Sequence, residues 1–284
     1  MPLAYLPSPA TGQWRLGPLS VHLYTLCVVL GICIAIAVGE RRYRAAGGRR
    51  WAVLDVATVA VPAGLLGAWA YRLVFGFGTY FGHGRDWVDV LRIWDGGLGL
   101  PGAAVGSLAA TWLWCRRRGA ATGPVLTAVV PGVAFGQAVG LIGNWFAQTM
   151  YGPPSSMPWA VAISPVHRAP GYESFTYFQP LFLYQALWEI AVGVALVVAI
   201  RRLRLTGFQA LVVLVGCYAV GWLATASFIL GGSQRQPATT AGQFAAAVLV
   251  VLAAVYLYLT RSARGPEPLR ADASRAPGGI RTHT

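Results

Sequence analysis

The chain has 284 residues, 56% of them hydrophobic and 11% charged, where a soluble domain of this size carries roughly a quarter charged residues. That balance excludes an ordinary soluble enzyme. The 22 basic residues, all arginine, face nine acids to give a formal charge of +13, but they stand in short clusters between long apolar runs, which reads as a membrane-orientation signal and not as a face for nucleic acid.

A membrane span needs about 20 mostly apolar residues, and seven runs qualify, near 19–39, 52–75, 97–115, 124–146, 181–200, 208–230 and 241–260. The expected fold is all-α: one seven-helix membrane domain over 1–264, then a disordered cytoplasmic tail over 265–284, which is polar and without periodicity. The first run lacks a basic leader and a small-residue cleavage site, so it is expected to stay in the mature protein. Cys27, Cys33, Cys115 and Cys217 lie in or beside apolar runs without a C-x-x-C spacing. They read as small core residues, and no metal site is expected.

Alternate connections are basic. Arg41, Arg42, Arg44, Arg49 and Arg50 follow the first run, Arg116, Arg117 and Arg118 the third, Arg201, Arg202 and Arg204 the fifth, and Arg261 and Arg264 the seventh. Arginine in short loops is retained on the cytoplasmic side, so the N-terminus is expected outside and the C-terminus inside. The outer face then holds the loops 76–96 and 147–180. In the first of these, Trp87, Val90, Leu91 and Trp94 fall on one helical face opposite Arg85, Asp86, Asp89 and Arg92, which predicts a short interfacial helix near 84–94. The second loop carries Tyr151, Trp159, Tyr172, Phe175, Tyr177 and Phe178. It is too aromatic for a disordered linker and is expected to pack against the outer leaflet or to cap a cavity.

Glycines are the densest local signal. Gly96, Gly97, Gly99, Gly102 and Gly106 open the third run, and Gly132, Gly136, Gly140 and Gly143 recur through the fourth. Close helix packing through small residues explains such spacing without any ligand. Asn144, at the outer end of a glycine-flexed helix, is an intramembrane polar group that asks for a functional reason as well.

At these residues the chain resembles the prolipoprotein diacylglyceryl transferases of bacterial inner membranes. Residues 17–24, ending in Tyr24, resemble the family's first-span entry. Residues 93–99, with Trp94, Asp95, Gly96 and Gly97, are similar to its Trp-acid-Gly-Gly-Leu element. Residues 140–152 followed by 157–160 resemble its signature loop, and Gln179, Pro180 and Tyr184 its His-Pro-x-x-x-Tyr-Glu element. The resemblance implies transfer of the diacylglyceryl group of phosphatidylglycerol to the thiol of a lipobox cysteine, part of lipoprotein biosynthesis. It also implies a multi-pass protein of the plasma membrane. Its partners would be phosphatidylglycerol or another phospholipid and the prolipoprotein signal peptide, with no cofactor.

That chemistry needs a fixed cation for the phosphodiester and a thiol that loses its proton. By the resemblance, several charged positions are replaced. Leu141 stands for the signature arginine, and Ala147 and Thr149 stand for asparagine and glutamate. Trp69 stands for the second-span arginine. Gln179 and Gln185 stand for histidine and glutamate, and Trp222 and Ala226 for the sixth-span arginine and glutamate. Arginines and carboxylates are lost together, as expected when a buried charge without its partner is strongly destabilising.

The residues left for catalysis are Asn144, Tyr24, His22 and Arg72, with Gly140, Gly143, Gly152, Gly96, Gly97 and Tyr184 for substrate contact. Each has a plainer reading: Arg72 snorkelling to the interface, His22 hydrogen-bonded at headgroup depth. Glu189 is an intramembrane acid with no evident partner, and His83 and His167 read as solvated. Two functional readings stay open, an active transferase with a rearranged site and a catalytically silent relative that binds phospholipid or prolipoprotein. A transporter is disfavoured because the chain has no internal repeat.

Overall fold

A computed structural model describes residues 5–9, 12–16, 19–75, 99–230 and 238–260. The described residues contain seven helices, α1 (Leu23–Ala45), α2 (Ala52–Phe75), α3 (Leu100–Arg117), α4 (Thr122–Ala147), α5 (Leu181–Leu203), α6 (Gly207–Ala226) and α7 (Ala238–Leu259). Six of them are long and apolar enough to cross a membrane. The exception is α3, whose 18 residues include Ser107 and Thr111 and close on Arg116 and Arg117. The expected interfacial helix near 84–94, Gly96, Gly97, His83 and the tail from 265 lie outside the described residues.

The first helix begins and ends later than its apolar run. Residues 19–22, expected to open a span, are instead strand β2 (Leu19–His22), paired antiparallel with β1 (Gln13–Leu16) in the register Gln13↔His22 to Leu16↔Leu19. Just beyond the strands Leu23 N, the first amide of α1, donates to Gly12 O at 3.0 Å, which satisfies one of the amides that a helix start leaves open. At the other end Arg41, Arg42 and Arg44, good helix formers, carry α1 past the last apolar residue.

The chain forms two compact units, residues 1–42 with 126–266, and a second whose described part lies within 43–125. In the second unit α2 packs on α3 through small residues. A Cβ on Gly67 would strike the Gly102 carbonyl, and one on Gly106 the Ala63 carbonyl, so the backbones touch where any side chain would hold them apart. Ser107 Oγ donates to Ala60 O across this seam at 3.0 Å. Pro62 sits inside α2, a position tolerated in membrane helices. At the head of α2, Arg49 pairs with Asp55. Both side chains are largely exposed, so the pair adds little.

In the first unit α4 lies along α1 by the same means, with Gly136 against Gly31 and Gly132 against Ala35. Gly193 of α5 receives the Phe135 ring of α4, and Gly221 of α6 receives Gln185 and Trp188 of α5. A capping box opens α6: Gln209 N donates to Thr206 Oγ1 at 3.3 Å and Thr206 N to Gln209 Oε1 at 3.1 Å. The same glutamine ties α6 to the end of α7, Nε2 donating to Thr260 O at 3.2 Å.

The aromatic loop between α4 and α5 has a core of its own. Tyr151, Val161, Ile163, Phe178 and Phe182 are buried together. Around them strand β3 (Val161–Ala162) pairs antiparallel with β4 (Tyr177–Phe178). Leu6 joins the other edge of β3, donating to Ala160 O and accepting from Ala162 N, each at 3.0 Å. To the expected helices the fold thus adds two small sheets and a structured cap.

Candidate functional site

The site is built on the last turns of α4. Gly132, Gly136, Gly140 and Gly143 follow one side of that helix, and the side runs along α1. At its end the Tyr24 ring rests on Gly143, where an added Cβ would come within 2.9 Å of it. Two sequence-selected residues, Tyr24 and Gly143, are therefore in contact, and Asn144 is the next residue. Gly140 has more room, with Val28 at 3.9 Å from a Cβ built there.

Asn144 organises the exit from α4. Its Nδ2 donates to Leu141 O at 2.9 Å, and its Oδ1 accepts from Thr149 Oγ1 at 2.8 Å. Thr149 N also donates to Asn144 O at 3.0 Å. These bonds hold a turn in which Gln148 and Met150 take left-handed backbone, φ 51° and 55°. Such a conformation is unfavourable for residues other than glycine and persists only where the surroundings impose it. Here they do. Ser164 N donates to Gln148 Oε1 at 2.7 Å, Phe182 N to Met150 O at 3.0 Å and Gly152 N to Gln179 O at 2.8 Å, and Tyr151 Oη to His167 O at 2.7 Å. One donor hydrogen and one lone pair of the Asn144 amide are left without a partner among the described residues.

Tyr184 stands in the first turn of α5, where its hydroxyl accepts from Trp159 Nε1 of the cap at 2.8 Å. Gly152 packs on Leu181, a Cβ there lying 3.0 Å from its Cγ. His22 ends β2, exposed to solvent and two residues before Tyr24. In the second unit Arg72 occupies the last turn of α2, half-buried, one turn after Trp69. His167 is exposed, with Nδ1 at 2.8 Å from Ser164 Oγ.

Glu189, without an evident partner in the sequence, has one in the fold. It is fully buried in α5 and accepts at Oε1 from Gln185 Nε2 at 3.3 Å. Thr225 Oγ1 of α6 lies 3.5 Å from Gln185 Oε1, and Glu189 Oε2 has no hydrogen-bond partner among the described residues. The i, i+4 spacing of Gln185 and Glu189 was a signal that the sequence reading passed over. Beside this network, Ile34 of α1, Phe135 and Ile142 of α4 and Leu183, Leu187 and Ile190 of α5 line a cavity of about 330 Å³. Its apolar walls suit a hydrocarbon chain and offer nothing to a charged group. Among the described residues no cluster of three His, Cys, Asp or Glu could hold a metal ion.

Residues 12–259 match the family model described as prolipoprotein diacylglyceryl transferase. The chain belongs to that family. A relative from Streptomyces avermitilis is 43% identical over 223 residues, covering 78% of this chain and 64% of the relative. One from Streptomyces griseus is 38% identical over 271 residues, 93% of this chain and 80% of the relative. One from Mycobacteroides abscessus is 35% identical over 297 residues, 98% of this chain and 85% of the relative. All three carry the name phosphatidylglycerol–prolipoprotein diacylglyceryl transferase. The match to the first spans less than two thirds of that relative's length. Within the family match fall α1 to α7, the cap and the Asn144 turn.

Proposed function

We propose that this chain acts in lipoprotein biosynthesis as its named relatives do, moving the diacylglyceryl group of phosphatidylglycerol to the cysteine thiol of a prolipoprotein. It does so as a seven-span protein of the bacterial plasma membrane, with the N-terminus outside and the C-terminus inside. The observation that carries this reading is the contact of Tyr24 with Gly143 beside the Asn144 turn, inside a match to the family over residues 12–259.

In the reaction, the thiol gives its proton to a base and the thiolate sulfur attacks the glyceryl carbon that bears the phosphate. A carbon–sulfur bond forms, the carbon–oxygen bond breaks, its electron pair stays on the phosphate oxygen, and glycerol phosphate departs. Asn144 and Tyr24 offer hydrogen bonds to the reacting headgroup and His22 accepts the thiol proton, while Arg72, of the second unit, is the candidate cation for the phosphate charge. Gly140, whose face is open, lets the substrate approach the helix closely, and Gly143, Gly152, Gly96, Gly97 and Tyr184 are the further candidates for substrate contact. The apolar cavity between α1, α4 and α5 takes an acyl chain.

A second reading rests on one position of the sequence. Leu141, one turn before Asn144, presents an aliphatic side chain where the family resemblance calls for an arginine, which suits a silent relative that binds phospholipid or prolipoprotein without turning it over. The experiment that separates the two is transfer of labelled diacylglyceryl from phosphatidylglycerol to a lipobox peptide by the purified protein, run beside a relative that keeps the arginine. Transfer above background supports the enzyme. Its absence, from protein that still unfolds cooperatively, leaves the binding reading.

A further inference from the structure

The apolar cavity between α1, α4 and α5 is closed at one end. Its other end lies towards the cap, where Ile142 adjoins Gly143, on which the Tyr24 ring rests, and Leu183 adjoins Tyr184. From there the lining runs along α4 to Phe135 and along α5 to Ile190, in each case about 10 Å at the helical rise. At the far end the Phe135 ring crosses to α5 and lies on Gly193, where an added Cβ would come within 2.7 Å of the ring. Gly193 has no side chain to hold the ring away, so ring and backbone together form a floor just beyond Ile190. The walls above that floor are apolar throughout.

Such walls give a ligand no hydrogen bond, so an occupant is held by packing and selected by fit. Leu187 and Ile190 line the cavity and are also exposed. They stand on a helix long and apolar enough to cross a membrane, so the cavity opens sideways towards lipid tails. A hydrocarbon chain whose glyceryl end stands near Asn144 runs down this groove and ends on the Phe135 ring. We infer that Phe135, seated on Gly193, is the residue that sets the length of the acyl chain the protein accepts. A shorter chain leaves a void over the ring and a longer one must bend against it, and either loses packing. The inference rests on the proposed function for its occupant, a diacylglyceryl lipid, and not on turnover.

The test uses the full chain in detergent with an equimolar mixture of saturated phosphatidylglycerols that differ only in chain length, without any peptide acceptor. Native mass spectrometry reads which lipids are retained. The wild type is expected to enrich one length, holding chains about two methylenes longer roughly fivefold less well, the low end of the cost of overpacking. Two substitutions then act on the floor in opposite directions. Phe135→Ala removes the ring and moves the preferred length upward, whereas the methyl of Gly193→Ala pushes the ring into the cavity and moves it downward. Val194→Ala, at an exposed position of α5, leaves the preference where it is. Phe135→Leu, a smaller change of volume, carries the upward shift if the alanine variant fails to fold. An unchanged preference in the Phe135 variants, or a shift of the same sign in Gly193→Ala, overturns the role of the ring. Retention of every length alike by the wild type overturns the acyl chain as the occupant. A chain that selects lipid by length yet transfers nothing to a lipobox peptide overturns the proposed reaction and supports this inference.

Discussion

Asn144 makes two side-chain bonds inside its own turn, and these set what its replacement does. Asn144→Ala frees Leu141 O and leaves the Thr149 hydroxyl without its acceptor, a loss on the order of 1–2 kcal/mol for two partly exposed bonds. The variant is therefore expected to accumulate in the membrane with a slightly lower unfolding temperature, while transfer falls to background. Wild-type transfer by that variant would remove Asn144 from the reaction. The glycines of α4 divide by the space beside them. A Cβ on Gly136 collides with the Gly31 carbonyl, whereas one on Gly140 meets nothing nearer than Val28 at 3.9 Å. Gly136→Ala should thus destabilise by about 1–3 kcal/mol, and Gly140→Ala should be neutral or mildly stabilising through its gain in helix propensity. Thermal unfolding of the two purified variants in one detergent checks the order, and equal effects would mean that α1 and α4 do not pack backbone to backbone.

Among the elements, the cap was the least legible. Glycine spacing announced the seams of α1 with α4 and of α2 with α3, because small residues every third or fourth position leave a mark in the sequence. The cap leaves none. Its strands are two residues long, and one edge is held by Leu6, far away in the chain, so neither periodicity nor local turn chemistry could reveal it. Aromatic content signalled that the loop was ordered, and no more. Its rim also has a pH dependence of known sign. The backbone amides of Gly171, donating at 2.9 Å, and of Glu173 itself hold the Glu173 carboxyl below the usual carboxylate range. A carboxyl depressed in the folded state contributes stability above its unfolded value and loses it as the pH falls through the folded one. Acidification from neutral should therefore loosen the turn at 171–173, read as a lower amide protection factor, after correction for the intrinsic pH dependence of exchange, or as faster proteolysis there. Glu173→Gln should abolish that change. The effect is small, since the side chain is exposed and screened by solvent.

Across the whole molecule the helices were legible and the partnerships of the intramembrane polar groups were not. Apolar runs gave the helix positions because the bilayer demands length and composition, but the bridge from Gln148 to the cap depends on side-chain direction, and only the i, i+4 spacing pointed to the bond between Gln185 and Glu189. The same limit applies to the positions where the resemblance expects charged residues. If Leu141 and Thr149 replace an arginine and its carboxylate, their substitutions must be coupled, because either charge alone is unpaired in a low-dielectric interior. Both residues touch Asn144, the first through its carbonyl and the second through its hydroxyl, so restored side chains would start from one turn. Leu141→Arg alone is expected to destabilise by about 3–5 kcal/mol, and Thr149→Glu alone by less, since it lies nearer the solvated cap. Together they should recover at least about 1 kcal/mol of the summed loss, as a double-mutant cycle measures it. Additive losses would mean that the two positions never formed a pair. Recovery of stability with a rise in diacylglyceryl transfer would identify Leu141 as the substitution that limits the present chain. Recovery without transfer would direct attention to Trp69 and Trp222, where the resemblance expects two further arginines.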